Sequence, residues 1–142
     1  MTELDRITIH VTGRPAPQGS KRLGEHGQMR EQSAYLPAWR AAVKRAVYAC
    51  YRELGVEAVE SRAPGWALLR GPVSISIEFR LDTGQRVDGP PDLDKLARST
   101  WDALTAARVW EDDGRVVDAW LTKVGASELY PAGAVITVMT EV

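Results

Sequence analysis

At 142 residues, 44% apolar and 26% charged, the chain suits one water-exposed domain with a core of its own. No apolar run approaches the ~20 residues that a membrane span needs, the start with Glu3, Asp5 and Arg6 is not that of a secretory signal, and the lone Cys50 excludes an internal disulfide and a cysteine zinc site. A reducing, cytoplasmic setting is expected. The net charge of −1 hides a split. Residues 1–52 carry nine Lys/Arg against four Asp/Glu, net +5, and residues 53–142 carry nine against fifteen, net −6. A basic half beside an acidic half lets one protein hold phosphates with the first and cations with the second. Chance asymmetry on a solvated surface is the plainer alternative.

In chain order, Ile7, Ile9 and Val11 alternate with Thr8, His10 and Thr12, predicting a half-buried strand over 7–12 that Gly13 ends. Residues 13–35 are rich in Gly, Pro and Gln, with Arg14, Lys21, Arg22 and Arg30 and almost no apolar side chains. They predict a long loop, either a flexible basic arm or a surface connection. Leu36, Trp39, Val43, Val47, Cys50 and Leu54 recur at helical spacing and predict a helix over 36–54. Pro37 falls in its first turn, Gly55 is its stop, and Arg40, Lys44, Arg45 and Arg52 dress its outer surface. Residues 56–71 show no clear period and read as a connection.

Val73, Ile75, Ile77, Phe79 and Leu81 then alternate with Ser74, Ser76, Glu78 and Arg80, a strong strand with one covered face. A polar loop over 82–89 delivers the chain to Pro90-Pro91, which bring it extended to Asp92. From there Leu93, Leu96, Ala97, Thr100, Leu104 and Ala107 share one helical face. Past that helix, Gly114 turns the chain into a strand over 116–124 carrying Trp120 and Lys123. A last strand over 134–142 is expected to pair with it through Tyr130-Pro131-Ala132-Gly133. The order is β-α-β-α-β-β: an α+β fold, one domain over 1–142, with helices packed on one mixed sheet.

The chemistry concentrates between Pro90 and Asp113. Asp92 and Asp94 stand where the helix begins, and its positive end and free N–H groups tolerate negative charge there. Asp94, Arg98, Trp101 and Asp102 project opposite the apolar face. A second acidic pair, Asp112-Asp113, follows the helix, so a chain that folds back brings four carboxylates together. Such a cluster repels itself unless a cation sits in it. Oxygen ligands with no cysteine or histidine nearby point to Mg²⁺ or Mn²⁺. His10 and His26 have no ligand-like spacing. Each residue also has a structural reading: Asp92 as an N-cap, Asp94, Arg98 and Asp102 as an ion-pair ladder, Asp112-Asp113-Gly114 as a turn.

Asp92-Leu93-Asp94-Lys95-Leu96, Trp101-Asp102-Ala103-Leu104 and Trp110-Glu111-Asp112-Asp113, in that register, resemble the RusA-type Holliday junction resolvases, which are metal-dependent endonucleases. The stretch from Gly13 to Arg22 also resembles that family's N-terminal loop. The resemblance implies a RusA-like fold, a homodimer, four-way DNA junctions as substrate, and a role in DNA recombination and repair. It places metal ligands at Asp92, Asp94 and Asp113, with Asp112 as a neighbour. Neighbouring side chains on extended backbone point to opposite sides, so one of Asp112 and Asp113 faces the metal. The family's register selects Asp113. Arg14, Lys21, Arg22, Lys95 and Lys123 are the expected DNA-binding cations.

The sequence departs from the family at Arg98, where the resemblance leads one to expect a catalytic lysine. Arginine keeps the positive charge and can grip a phosphate with two N–H groups, but it cannot give up a proton at neutral pH. Arg98 is therefore expected to stabilise transition-state charge. Two rivals stand beside this reading. One is a junction-binding protein of the same fold that cuts weakly. The other is a glycosyltransferase-like protein holding a nucleotide-sugar metal at Asp92-Leu93-Asp94, for which 142 residues leave little room.

Overall fold

The computed structural model of the chain describes residues 4–19, 28–56, 59 and 62–141. It has four strands, β1 (Arg6–Thr12), β2 (Val73–Leu81), β3 (Val116–Gly125) and β4 (Gly133–Thr140). Among the described residues its helices are α1 (Gln28–Glu53) and α2 (Leu93–Ala106), and a 3₁₀ turn spans Asp113–Arg115. The strands form one mixed sheet in the order β1-β4-β2-β3. β4 lies antiparallel to both β1 and β2, and β3 runs parallel to β2.

The alternating residues explain the layers. Ile7, Ile9 and Val11, then Ile75, Ile77 and Phe79, then Ala134, Ile136 and Val138 are all buried, and they lie on the same face of the sheet. Both helices cover that face. Trp39, Val43, Val47 and Tyr51 of α1 and Leu96, Ala103 and Leu104 of α2 complete one continuous core. The other face is open and carries Thr8, Ser76 and Glu78. Two buried polar bonds lock the helices together and to the chain beyond α2. The Trp39 indole N–H donates to Thr100 Oγ1 at 3.1 Å. The Tyr51 hydroxyl donates to the Ala107 carbonyl at 2.7 Å, and burial pushes its pKa well above the usual phenol value.

The structure corrects three expectations. First, α1 begins at Gln28, inside the stretch read as a loop, so Pro37 lies in the helix interior. Hydrophobic periodicity has little to register in 28–35, a stretch with few apolar residues. The stripe itself drifts: Tyr51 is buried where Cys50 and Leu54 were expected, and Leu54 is exposed. A helix turns once in 3.6 residues, so the steps of four from Trp39 through Val43 and Val47 lead to residue 51.

Second, β4 does not pair with β3. The connection from 126 to 132 steps across the end of β2, held by Ala126 N–H to the Leu81 carbonyl (3.0 Å) and Arg80 Nε to the Pro131 carbonyl (3.0 Å). The strand then slots between β1 and β2. The reason is burial: β4 repeats apolar residues on the covered face, which suits an interior strand, whereas β3 is mostly exposed and takes the edge. The slot is tight at Gly133, with φ of 156°, where a Cβ would stand 1.9 Å from the Val11 carbonyl oxygen.

Third, the start of the long loop is fastened down. Gln18 N–H donates to the Lys95 carbonyl (3.1 Å), Ser99 Oγ to the Ala16 carbonyl (2.6 Å) and Gln85 Nε2 to the Pro15 carbonyl (2.6 Å). Residues 16–18 therefore lie against the first turns of α2.

Candidate active site

α2 carries the acidic block because its two sides differ so sharply. Leu96, Thr100, Ala103 and Leu104 turn into the core, while Asp94 and Arg98 stay exposed. The positions 94, 98, 101 and 102 are separated by about one and two helical turns, so they form a strip along the outer side. Asp113 comes up beside that strip from the 3₁₀ turn. Asp94, Ala97, Arg98, Trp101, Asp102 and Asp113 line one open cleft of about 320 Å³. Of the expected site residues, the structure brings Asp94, Arg98 and Asp113 together, and it adds Asp102.

Asp113 is held by a relay the sequence did not announce. The Trp110 indole N–H donates to Thr105 Oγ1 at 2.7 Å, and the Thr105 hydroxyl donates in turn to Asp113 Oδ1. A hydroxyl that accepts one bond and donates another is well suited to such a chain. Trp110 is itself buried, with its ring 5.8 Å from that of Trp101. Asp112 plays a different part: Oδ1 accepts the Gly114 N–H at 2.8 Å and closes the turn. Glu111 anchors the segment from the other side, accepting the Gly71 N–H at 2.9 Å and pairing with Arg70 and Arg115. The Gly71 bond, ahead of the two guanidinium groups, lowers its pKa.

The expected convergence of four carboxylates is not found. Among the described residues no three His, Cys, Asp or Glu side chains stand close enough to hold a metal as placed. Except for Asp94, which makes no ion pair among the described residues, each carboxylate is drawn to its own partner. Asp92 occupies the N-cap position of α2 without a side-chain cap bond, pairs with Lys95 at 3.5 Å, and does not line the cleft. Asp102 pairs with Arg40 of α1 at 3.3 Å, and Arg40 also donates to Gln18. The expected ladder is also absent: among the described residues Arg98 makes no ion pair, so its guanidinium faces the cleft uncommitted. The donor chemistry fits a hard divalent cation, since Asp94, Asp102 and Asp113 offer oxygen alone.

The other expected cations are engaged within the protein. Arg14 donates to the Thr83 carbonyl at 2.8 Å, pairs with Asp82 at 3.6 Å, and lies over the Tyr35 ring. Lys95 is the partner of Asp92, and Lys123 contacts three backbone carbonyls. Lys21, Arg22 and His26 lie outside the described residues. Sequence reasoning missed Thr105 and Glu111 as anchors and Arg40 as the partner of Asp102. The only signal was Trp110, too apolar to be left on a surface turn.

The chain is similar to known proteins over most of its length. The family model described as Endodeoxyribonuclease RusA matches residues 12–139. The chain is 32% identical over 118 residues to the crossover junction endodeoxyribonuclease rusA of Enterobacteria phage 82, covering 82% of this chain and 83% of that protein. It is also 32% identical over 111 residues to the crossover junction endodeoxyribonuclease RusA of Escherichia coli K12, covering 78% of each, and the same values hold for that of Shigella sonnei.

Proposed function

This chain belongs to the RusA endodeoxyribonuclease family, and from that premise we propose that it hydrolyses phosphodiester bonds at four-way DNA junctions with the help of a divalent cation. The observation that carries the reading is the cleft itself, in which Asp94, Arg98 and Asp113 meet. Asp94 and Asp113, with Asp92 once it leaves Lys95, would hold Mg²⁺ or Mn²⁺. When bound, such a cation activates water and offsets charge on the phosphoryl oxygens.

The chain's own residues do the rest. Arg98 grips a non-bridging phosphate oxygen pair and offsets the charge that builds on them in the transition state. It does so without giving up a proton, because a guanidinium stays charged at any working pH. Thr105 fixes the carboxylate of Asp113, so that it need not be ordered during the reaction. Arg40 holds Asp102 to one side and keeps part of the cleft's negative charge from repelling the DNA. A homodimer would present two such clefts to opposite strands of a junction. The free edge of β3, with Val117 and Trp120 exposed, supports self-association.

The test is nicking of a synthetic four-way junction against a linear duplex of the same sequence, with Mg²⁺ and with a chelator. Junction-selective, cation-dependent cleavage is expected. Equal cleavage of both substrates, or undiminished cleavage in the chelator, would refute the proposal. Arg98 in place of the expected lysine favours a second reading, a junction binder that cuts weakly. Tight binding with turnover slower than about one event per hour would favour it.

A further inference from the structure

We propose that Lys123 is a positioning residue, an internal clamp that sets the start of α2 and thereby aims Asp92 and Asp94, rather than a phosphate contact. The inference rests on reading the cleft as the nuclease site. In the parallel register Lys123 stands opposite Phe79, and Leu121 opposite Ile77, so Lys123 lies on the sheet face that the helices cover. Its side chain rises beside α2 to the loop that joins β2 to that helix. There Nζ meets the carbonyls of Gly89 at 2.8 Å, Pro91 at 2.8 Å and Arg86 at 3.3 Å. An ammonium has three N–H donors and no acceptor, so these three carbonyls use it completely. Contact with a phosphate would require breaking one of them.

The loop needs the clamp for a reason its sequence supplies. Pro90 and Pro91 have no N–H, so these two residues cannot donate a backbone bond. Their carbonyls are their only backbone handles. One is used locally, by Arg86 N–H to the Pro90 carbonyl at 2.9 Å. The Pro91 carbonyl belongs to the peptide unit whose nitrogen is that of Asp92, so fixing it fixes where the acidic block begins. Asp94 follows rigidly, because the Leu96 N–H already bonds the Asp92 carbonyl at 3.0 Å. An ammonium on the edge strand thus orients carboxylates it never touches.

The experiment compares native protein, Lys123→Met and Lys123→Arg, well below their melting temperatures. Junction affinity and its salt dependence are measured without divalent cation, and single-turnover cleavage with Mg²⁺. Hydrogen exchange of the backbone amides over 85–96 is measured in the absence of DNA. The expected result is a cleavage rate at least tenfold lower in both variants, junction affinity within twofold of native, an unchanged salt slope, and at least tenfold faster exchange over 85–96. Arginine is expected to fail along with methionine, since a planar guanidinium does not fit a cup of three carbonyls shaped around an ammonium. Weaker binding in Lys123→Met with a salt slope smaller by about one unit, restored in Lys123→Arg, would overturn the proposal and make Lys123 a phosphate contact. So would native rates and native exchange in both variants. If the native protein cleaves no junction, the functional reading falls while the exchange measurement still decides the clamp. Should Lys123→Met not fold, Lys123→Arg decides alone: slow cleavage with fast exchange over 85–96 supports the clamp, and native cleavage with native exchange overturns it.

Discussion

Replacing Thr105 with valine tests the relay behind Asp113. The change conserves volume and removes one hydroxyl, the acceptor for Trp110 and the donor to Asp113. Trp110 is 1% exposed, so its indole N–H has no water to turn to. An orphaned buried donor of this kind costs about 1–3 kcal/mol. The lost bond to Asp113 adds little to stability, because that carboxylate is exposed and water replaces the hydroxyl. A net loss of about 2 kcal/mol lowers the melting temperature by roughly 6–10 °C for a domain of this size. The catalytic effect is separate. Asp113 keeps its charge but loses its fixed orientation, and single-turnover cleavage of a four-way junction should fall about tenfold, roughly 1.4 kcal/mol of barrier. Thr105→Ser keeps the hydroxyl and should restore the rate. A Thr105→Val protein that melts within 1 °C of native and cuts at the native rate would refute the relay.

Asp94→Asn and Asp113→Asn should each abolish cleavage while leaving junction binding intact or tighter, because each lessens repulsion of the DNA phosphates; near-native cutting by either under saturating Mg²⁺ would be decisive against the site. Asp112→Asn should be milder than Asp113→Asn, since Asp112 closes a turn outside the cleft and an amide oxygen can still accept the Gly114 N–H. Arg98→Lys should stay within about tenfold of native in single-turnover cleavage if the role is electrostatic, and a much faster variant would show that the chemistry wants an ammonium; Arg98→Ala should be slow in either case. Gly133→Ala should destabilise the fold by about 3 kcal/mol or more, since backbone must give way before the new methyl group, and denaturant unfolding would measure it. Alanine at Lys21 and Arg22 should weaken junction binding and reduce the salt slope by about one unit per lost phosphate contact.

Much of this fold could be read from period alone. β1, β2 and α2 alternate or recur so regularly that their buried faces are visible in Ile7-Ile9-Val11, in Val73 through Leu81 and in Leu96-Thr100-Leu104. What could not be read depends on partners far along the chain. That β4 belongs between β1 and β2 follows from which strand buries most, and neighbouring strands in sequence give no sign of it. In the site, Asp94, Arg98 and Asp113 were legible because helical spacing and the family register both place them. Thr105 was not, for it looks like any partly exposed helix threonine until Trp110 and Asp113 close around it. Lys123 looked like a surface cation because sequence shows its charge and not the three carbonyls that consume it.

The position of β4 has a consequence for how the protein comes into being. β1 leaves the ribosome first, yet its sheet partner is β4, and the register joins Arg6 to Met139. While synthesis is still short of Gly133, the first strand has no neighbour, and β2 and β3 can form only the far side of the sheet. Closing a loop that spans nearly the whole chain makes folding slow relative to a protein of local contacts. Asp94 and Asp113 both precede β4, so the acidic residues are translated well before the platform beneath them is complete. A nascent chain halted before residue 133 should show no protected amides in β1, and release of the finished chain should protect β1 and β4 together.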